Sequence, residues 1–253
     1  MNKLEKKIED KLSEYIGFDI KEIINNDIDM AHVFGGAIRD IIADKEIHDV
    51  DILCMWESMR KLEPILIKNG YKIHKSLTST DIQSMYSSVH VVVEPKTFIK
   101  IIDDEIRIIQ LIRPGLSKMR KTPGFNFQNT QESISNFYYV LGQVDMSHCA
   151  VHYSHTFGLK ESYYGAVNHC KIHVYDVLDT EMRTDRFHIR QLKFRERGWK
   201  EIKDIEKSQF ERMMKLGNLI NDDEPNYYLP TPGPVIRKYK EKSLNESIDK
   251  GLF

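Results

Sequence analysis

Residues 32–52 constrain the fold most, because they join a strand–turn–helix signal to a pair of alternating carboxylates. An apolar run from Met30 to Phe34 meets Gly35-Gly36, and a helical pattern follows over Ala37–Ala43, carrying Arg39 and Asp40. Such a sequence places a bare backbone turn at a helix N-terminus, where amides unobstructed by side chains suit a phosphate. After a spacer of residues 37–48, which ends in His48, comes Asp49-Val50-Asp51-Ile52, with a strand predicted over Val50–Cys54. Period-two geometry puts Asp49 and Asp51 on one face and turns Val50 and Ile52 toward a core. Two carboxylates side by side repel each other. A divalent cation relieves that repulsion, and hard oxygen ligands suit magnesium.

A two-metal site needs a third acid. Asp145, in Gly142-Gln143-Val144-Asp145-Met146, falls on a strand predicted over Gln143–Tyr153. An acid inside an apolar strand needs a partner, so Asp145 is either the third carboxylate or the mate of an arginine. Two metals would activate an attacking hydroxyl and stabilise a leaving pyrophosphate. Asp103-Asp104-Glu105 reads as a hairpin turn instead.

The rest of the chain supplies the frame. Helices are predicted over residues 1–26 and Glu57–Asn69. Short strands are predicted near Lys72–His74, His90–Glu94, Ile106–Ile112 and Lys171–Val177. A loop holding Lys118, Arg120 and Lys121 lies between Pro114-Gly115 and Pro123-Gly124, and from Asn221 onward the chain is proline-rich and irregular. From Glu181 to Lys215 the pattern is helical and basic. Arg186, Arg190, Lys193 and Arg197 recur every three or four residues and so share a helix face, able to neutralise a triphosphate or an RNA backbone. Phe187, Ile189, Leu192 and Phe194 between them suggest an opposite, buried face. The expected class is α+β (mixed α/β): a mixed central sheet flanked by helices over residues 1–180, then a short helical region and tail over 181–253.

The combination of Gly-Gly and Asp-x-Asp resembles the signature of the DNA polymerase β-like nucleotidyltransferase superfamily. Gly-Gly-Ala-Ile-Arg-Asp with Asp-Val-Asp is most similar to the head domain of CCA-adding enzymes and bacterial poly(A) polymerases. The segment Asp185–Trp199 looks like the arginine-rich helix that follows their head. The resemblance implies magnesium on Asp49 and Asp51, a third acid at Asp145, and triphosphate contacts from Gly35, Gly36 and Arg39, assisted by Arg190, Lys193 and Arg197. It implies transfer of a nucleoside monophosphate from an NTP, ATP or CTP foremost, to a hydroxyl. An RNA 3′ end such as that of tRNA ranks first as acceptor, beside a nucleotide or a protein hydroxyl. The alternative is a silent module of the same fold that binds nucleotide, RNA or a protein partner.

Composition narrows the setting. The 253 residues are 41% hydrophobic, enough for a sizeable core, and 37 basic against 38 acidic side chains leave a net charge of -1, so only a local basic cluster would mark a nucleic-acid partner. No apolar run approaches the roughly 20 residues of a membrane span, and the charged N-terminus lacks a signal-peptide pattern. Cys54, Cys149 and Cys170 are too few for a disulfide framework, so a cytoplasmic location is expected. His148, Cys149, His152 and His155, with His169, Cys170 and His173, suggest zinc at first sight. On strands, however, His148 and Cys149 would face opposite ways, and the spacing fits no standard zinc knuckle.

Overall fold

A computed structural model describes residues 2–25, 28, 30–74, 93–114, 137, 140–142, 144–178 and 185–219. The loop with Lys118, Arg120 and Lys121, the proline-rich segment from Asn221 and the start of the strand expected at His90–Glu94 lie outside the described residues.

Helix α1 spans Lys3–Ile16, opened by a reciprocal capping box between Asn2 and Glu5 and closed by Gly17 at φ 75°. The helix expected over 1–26 is therefore shorter, and a separate 3-10 turn at Ile20–Glu22 follows, capped by Asp19. Ile8, Leu12, Tyr15 and Ile16 line its buried face.

Next come β1 (Ala31–Phe34), α2 (Gly36–Ile42), β2 (Val50–Cys54), α3 (Trp56–Lys68), β3 (Lys72–Ile73), β4 (Val93–Ile102) and β5 (Glu105–Pro114). Asp103 and Asp104 join β4 to β5 at φ 50° and 63°, the two-residue turn that matches the twist of a hairpin and that Asp tolerates better than most residues. After a 3-10 turn at Ser147–Cys149 follow β6 (Val151–Ser154), β7 (Gly158–Glu161), α4 (Ala166–Lys171), β8 (Val174–Tyr175), α5 (Asp185–Glu196), β9 (Lys200–Glu201) and α6 (Lys207–Leu219). The segment read as a strand over Gln143–Tyr153 is strand only from Val151, and the strand expected over Lys171–Val177 is reduced to β8.

The seven-stranded sheet runs β3-β4-β5-β2-β1-β6-β7. Its β2–β5 pair is parallel and its other pairs antiparallel, which is the mixed α+β layout expected from the sequence. β8 and β9 form a small parallel pair beside it. Val50, Ile52 and Cys54 of β2 enter the large core with α1 and α2, whereas Leu53 joins a smaller cluster with Ile112, Phe137, Val140 and Leu141. The same alternation sets Asp51 on the face of Leu53. Strand register extends that face from β4 to β7 as a row of Thr97, Gln110, Asp51, Phe34, His152 and Lys160.

Helix α5 joins this core through Phe194, and Trp199 follows into it. Gly198 at φ 81° ends the helix, with the Trp199 amide donating back to the Phe194 carbonyl, and Lys45 Nζ donates to the Arg197 carbonyl at 2.7 Å. Ile189 and Leu192 are exposed, which corrects the expectation that they line a buried face. Among the described residues no helix is long and apolar enough to cross a membrane. All three cysteines are free and buried.

Candidate active site

The turn between β1 and α2 is built around Gly35, at φ 68° and ψ -120°, a conformation that L side chains rarely adopt. Its amide donates to the Val151 carbonyl at 2.9 Å, fixing the turn to β6. A Cβ placed on Gly35 would meet nothing within 4 Å, so the turn opens onto free space. A Cβ on Gly36 would lie 3.7 Å from Arg39 Nη2 and 3.8 Å from Asp49 Oδ1, so Gly36 separates a cation from the first carboxylate.

Asp49 immediately precedes β2 and Asp51 lies within it. Both are half-buried, while Val50 and Ile52 are fully buried on the other face, as the alternation requires. The backbone before Asp49 is held by Tyr15, whose hydroxyl donates to the His48 carbonyl at 2.6 Å and accepts from the Ile108 amide at 3.2 Å. That hydroxyl stands where the β2–β5 ladder would otherwise continue beyond Val50 and Ile109. Asp51 Oδ1 is buried with no hydrogen-bond partner among the described residues. Burial first, and the neighbouring Asp49 charge second, push the Asp51 carboxyl up to about 8, with Arg190 pulling the other way.

Asp145 is not on a strand. It sits in a bend before the 3-10 turn because Met146 bridges to Val177 and the Leu178 amide donates to the Asp145 carbonyl at 3.0 Å. Its carboxylate is taken by Arg190, with Nη1 2.5 Å from Oδ2. Among the described residues no three His, Cys, Asp or Glu side chains converge as a metal-binding group, so the structure does not assemble Asp145 with Asp49 and Asp51. Arg39 also turns to a carboxylate. Its Nε and Nη2 donate to Asp40 at 2.7 and 2.6 Å, its Nη1 reaches Cys149 Sγ at 3.4 Å, and its guanidinium lies 4.8 Å from the Phe194 ring centroid. Arg39 thus braces α2 from within. Arg190 is half-exposed, Lys193 exposed and Arg197 half-buried, while Arg195 turns to Glu201 and Asp204 at 3.2 and 3.1 Å. The side chain of Arg186 lies outside the described residues.

No family profile and no curated protein matches the chain by sequence. In fold the chain is similar to CCA-adding enzymes. A CCA-adding enzyme in complex with CTP aligns over 87% of this chain and 47% of its own, with TM-score 0.48 and 17% identity. The Thermotoga maritima CCA-adding enzyme complexed with tRNA aligns over 85% and 45%, with TM-score 0.47 and 17% identity. A tRNA nucleotidyltransferase complexed with a primer tRNA and an incoming ATP analogue aligns over 76% and 47%, with TM-score 0.42 and 18% identity. The chain spans about half the length of these enzymes.

Several contributors around the site escaped the sequence reading. Tyr15 looked like one more member of the apolar stripe of α1. Lys45 sits in the spacer between the glycines and the acids with no local pattern to mark it. His148, read as a strand residue, lies in the 3-10 turn, fully buried against Tyr175, Phe194 and Trp199, with ring centroids 5.3, 4.4 and 4.5 Å away. Burial, then the charges of Arg39 and Arg190, push its pKa well below the ordinary range. His152, beside Phe34 on the face of Asp51, is likewise pushed down to about 3 by burial, with His32 and Lys160 adding to the effect.

Proposed function

We propose that this chain transfers a nucleoside monophosphate from an NTP to a hydroxyl, with magnesium held by Asp49 and Asp51. The observation that carries the reading is the Asp51 carboxylate. One of its oxygens is enclosed and unpartnered, and a second carboxylate raises its affinity for any positive charge. Uncompensated buried carboxylates are costly, and a hard divalent cation bound by two acids removes that cost. Magnesium bound there would neutralise phosphate oxygens and lower the pKa of an attacking hydroxyl. The chain's own groups do the rest. Gly35 leaves room for the triphosphate beside the turn. Arg190, and Lys193 and Arg197 from the same helix, supply positive charge from the side of α5. In the transfer, the acceptor oxygen bonds to the α-phosphorus while the bond to the pyrophosphate oxygen breaks. ATP or CTP as donor and an RNA 3′ end, tRNA foremost, as acceptor follow from the resemblance in sequence.

A second reading has its own observation. Asp145 is engaged by Arg190, so three acids do not converge, as they would not in a silent nucleotide- or RNA-binding member of the fold. A transfer assay separates the two. The protein is given magnesium, each labelled NTP in turn, and bulk tRNA or total RNA, with Asp51→Asn beside the wild type. Label on RNA from the wild type alone supports the enzyme and names its nucleotide. Nucleotide binding by calorimetry without any transfer supports the silent module. Neither transfer nor binding removes both.

A further inference from the structure

Asp51 lies on an inner strand, and the register of the sheet identifies its lateral neighbours. Phe34 of β1 is paired with it on one side and Gln110 of β5 on the other. A phenyl ring has no oxygen to offer, so Gln110 is the polar neighbour. We propose that Gln110 supplies the third side-chain oxygen of the Asp49–Asp51 site, an uncharged amide carbonyl in the role for which the sequence suggested the carboxylate of Asp145. This inference rests on the metal-binding reading given above.

The strand pairing fixes the side of the sheet on which Gln110 stands. In the parallel β2–β5 pair, Val50 is opposite Ile109, Asp51 opposite Gln110, Ile52 opposite Leu111 and Leu53 opposite Ile112. Val50, Ile52, Ile109 and Leu111 enter the large core, whereas Leu53 and Ile112 share the smaller cluster on the other face. Alternation therefore sends Asp51 and Gln110 to that same face, where both are half-buried. Paired strands lie about 4.8 Å apart, a spacing that a glutamine side chain can bridge to a neighbouring carboxylate. Yet among the described residues no hydrogen bond engages the Gln110 side chain, and Asp51 Oδ1 has no partner either. The Gln110 amide nitrogen is thus not spent on Asp51 Oδ1. One hard cation would satisfy both groups, because such ions take amide carbonyls as well as carboxylates. Charge favours the amide as well. Asp49 and Asp51 together match one divalent cation, and a third acid beside them would add repulsion, whereas glutamine adds an oxygen without charge. Asp145, meanwhile, is engaged by Arg190.

Mn2+ affinity separates the candidates for the third place. It is read by electron paramagnetic resonance on the full chain without nucleotide, for wild type, Gln110→Leu, Gln110→Glu and Asp145→Asn. Thermal melts confirm that each is folded. Gln110→Leu keeps the bulk and removes the oxygen, and is expected to weaken binding at least about tenfold, the lower end of what even outer-shell partners of a metal site contribute. Gln110→Glu keeps an oxygen, adds charge and is expected to bind more tightly than wild type. Asp145→Asn is expected to bind like wild type. Unchanged affinity in Gln110→Leu overturns the inference. A Gln110→Glu protein as weak as Gln110→Leu overturns it too, since the amide would then act as a hydrogen-bond donor to Asp51. Weakening by Asp145→Asn alone gives the third place to Asp145. If the wild type shows no Mn2+ binding that Asp51→Asn abolishes, the metal-binding reading falls and takes this inference with it.

Discussion

Two arginine–carboxylate pairs flank the site, and they differ in what surrounds them. Arg39 and Asp40 each expose 6% of their side chains, and the pair is roofed by Phe194 and Trp199. Burial works against the Arg39 charge, but Cys149 and Asp40 outweigh it and raise its pKa. In the Arg190–Asp145 pair the arginine is half-exposed and the carboxylate is buried, so the arginine can reach solvent while Asp145 depends on it for a partner. The difference teaches that an arginine's place in a motif does not settle its task. Arg39 is enclosed with Asp40, whereas Arg190 keeps half of its side chain exposed.

The largest expected effect tests the buried pair. Asp40→Ala leaves Arg39 charged and unpaired in the core and should cost about 3–5 kcal/mol of stability in denaturant melts. Asp145→Ala, which leaves a half-exposed arginine free, should cost about 1 kcal/mol or less. The reverse order would break the comparison.

Next comes the metal. Burial and Asp49 raise the Asp51 carboxyl to about 8. The metal-free fold therefore keeps a proton that the unfolded chain releases near pH 4, and stability declines as pH rises between about 4 and 8. Magnesium takes the place of that proton. Its stabilisation should grow from pH 6 to pH 8, reaching about 2.7 kcal/mol at a hundred times its Kd, and should vanish in Asp51→Asn. A magnesium shift in the melting temperature that shrinks as pH rises would count against the site.

Arg190→Gln should raise the KM for NTP about tenfold through loss of a charge-assisted phosphate contact, at a cost in stability of about 1–3 kcal/mol from the buried Asp145 carboxylate that loses its cation. A drop in stability as large as that of Asp40→Ala would show that Arg190 is scaffold after all. The smallest effect is expected of Tyr15→Phe. Losing the hydroxyl that bridges His48 and Ile108 should cost about 1 kcal/mol and weaken Mn2+ binding by a few fold, and unchanged metal affinity would limit Tyr15 to packing.

Local signals account for what could be read in the chain beforehand. The bounds of β2, the opening at Gly35-Gly36 and the hairpin at Asp103-Asp104 follow from alternation and from backbone conformations that few residues tolerate. The enclosure of Arg39 and Asp40 has no local sequence signal, because it depends on Phe194 and Trp199, which come from a distant part of the described chain. Asp145 was misplaced for a similar reason. Its apolar neighbours suit a strand, but Met146 pairs with Val177 and the backbone bends there. The apolar residues of α5 misled as well, since Phe194 is buried while Ile189 and Leu192 face solvent.

The bond from Lys45 to the Arg197 carbonyl joins residues 152 positions apart. Closing so long a loop costs entropy that only formed partners repay, so α5 is expected to dock after the sheet and α2 are in place. On a ribosome, where the N-terminal portion emerges first, Asp49 and Asp51 would be assembled before Arg190 exists in the folding chain. A stalled or nicked chain would then present the acids without the arginine that accompanies them.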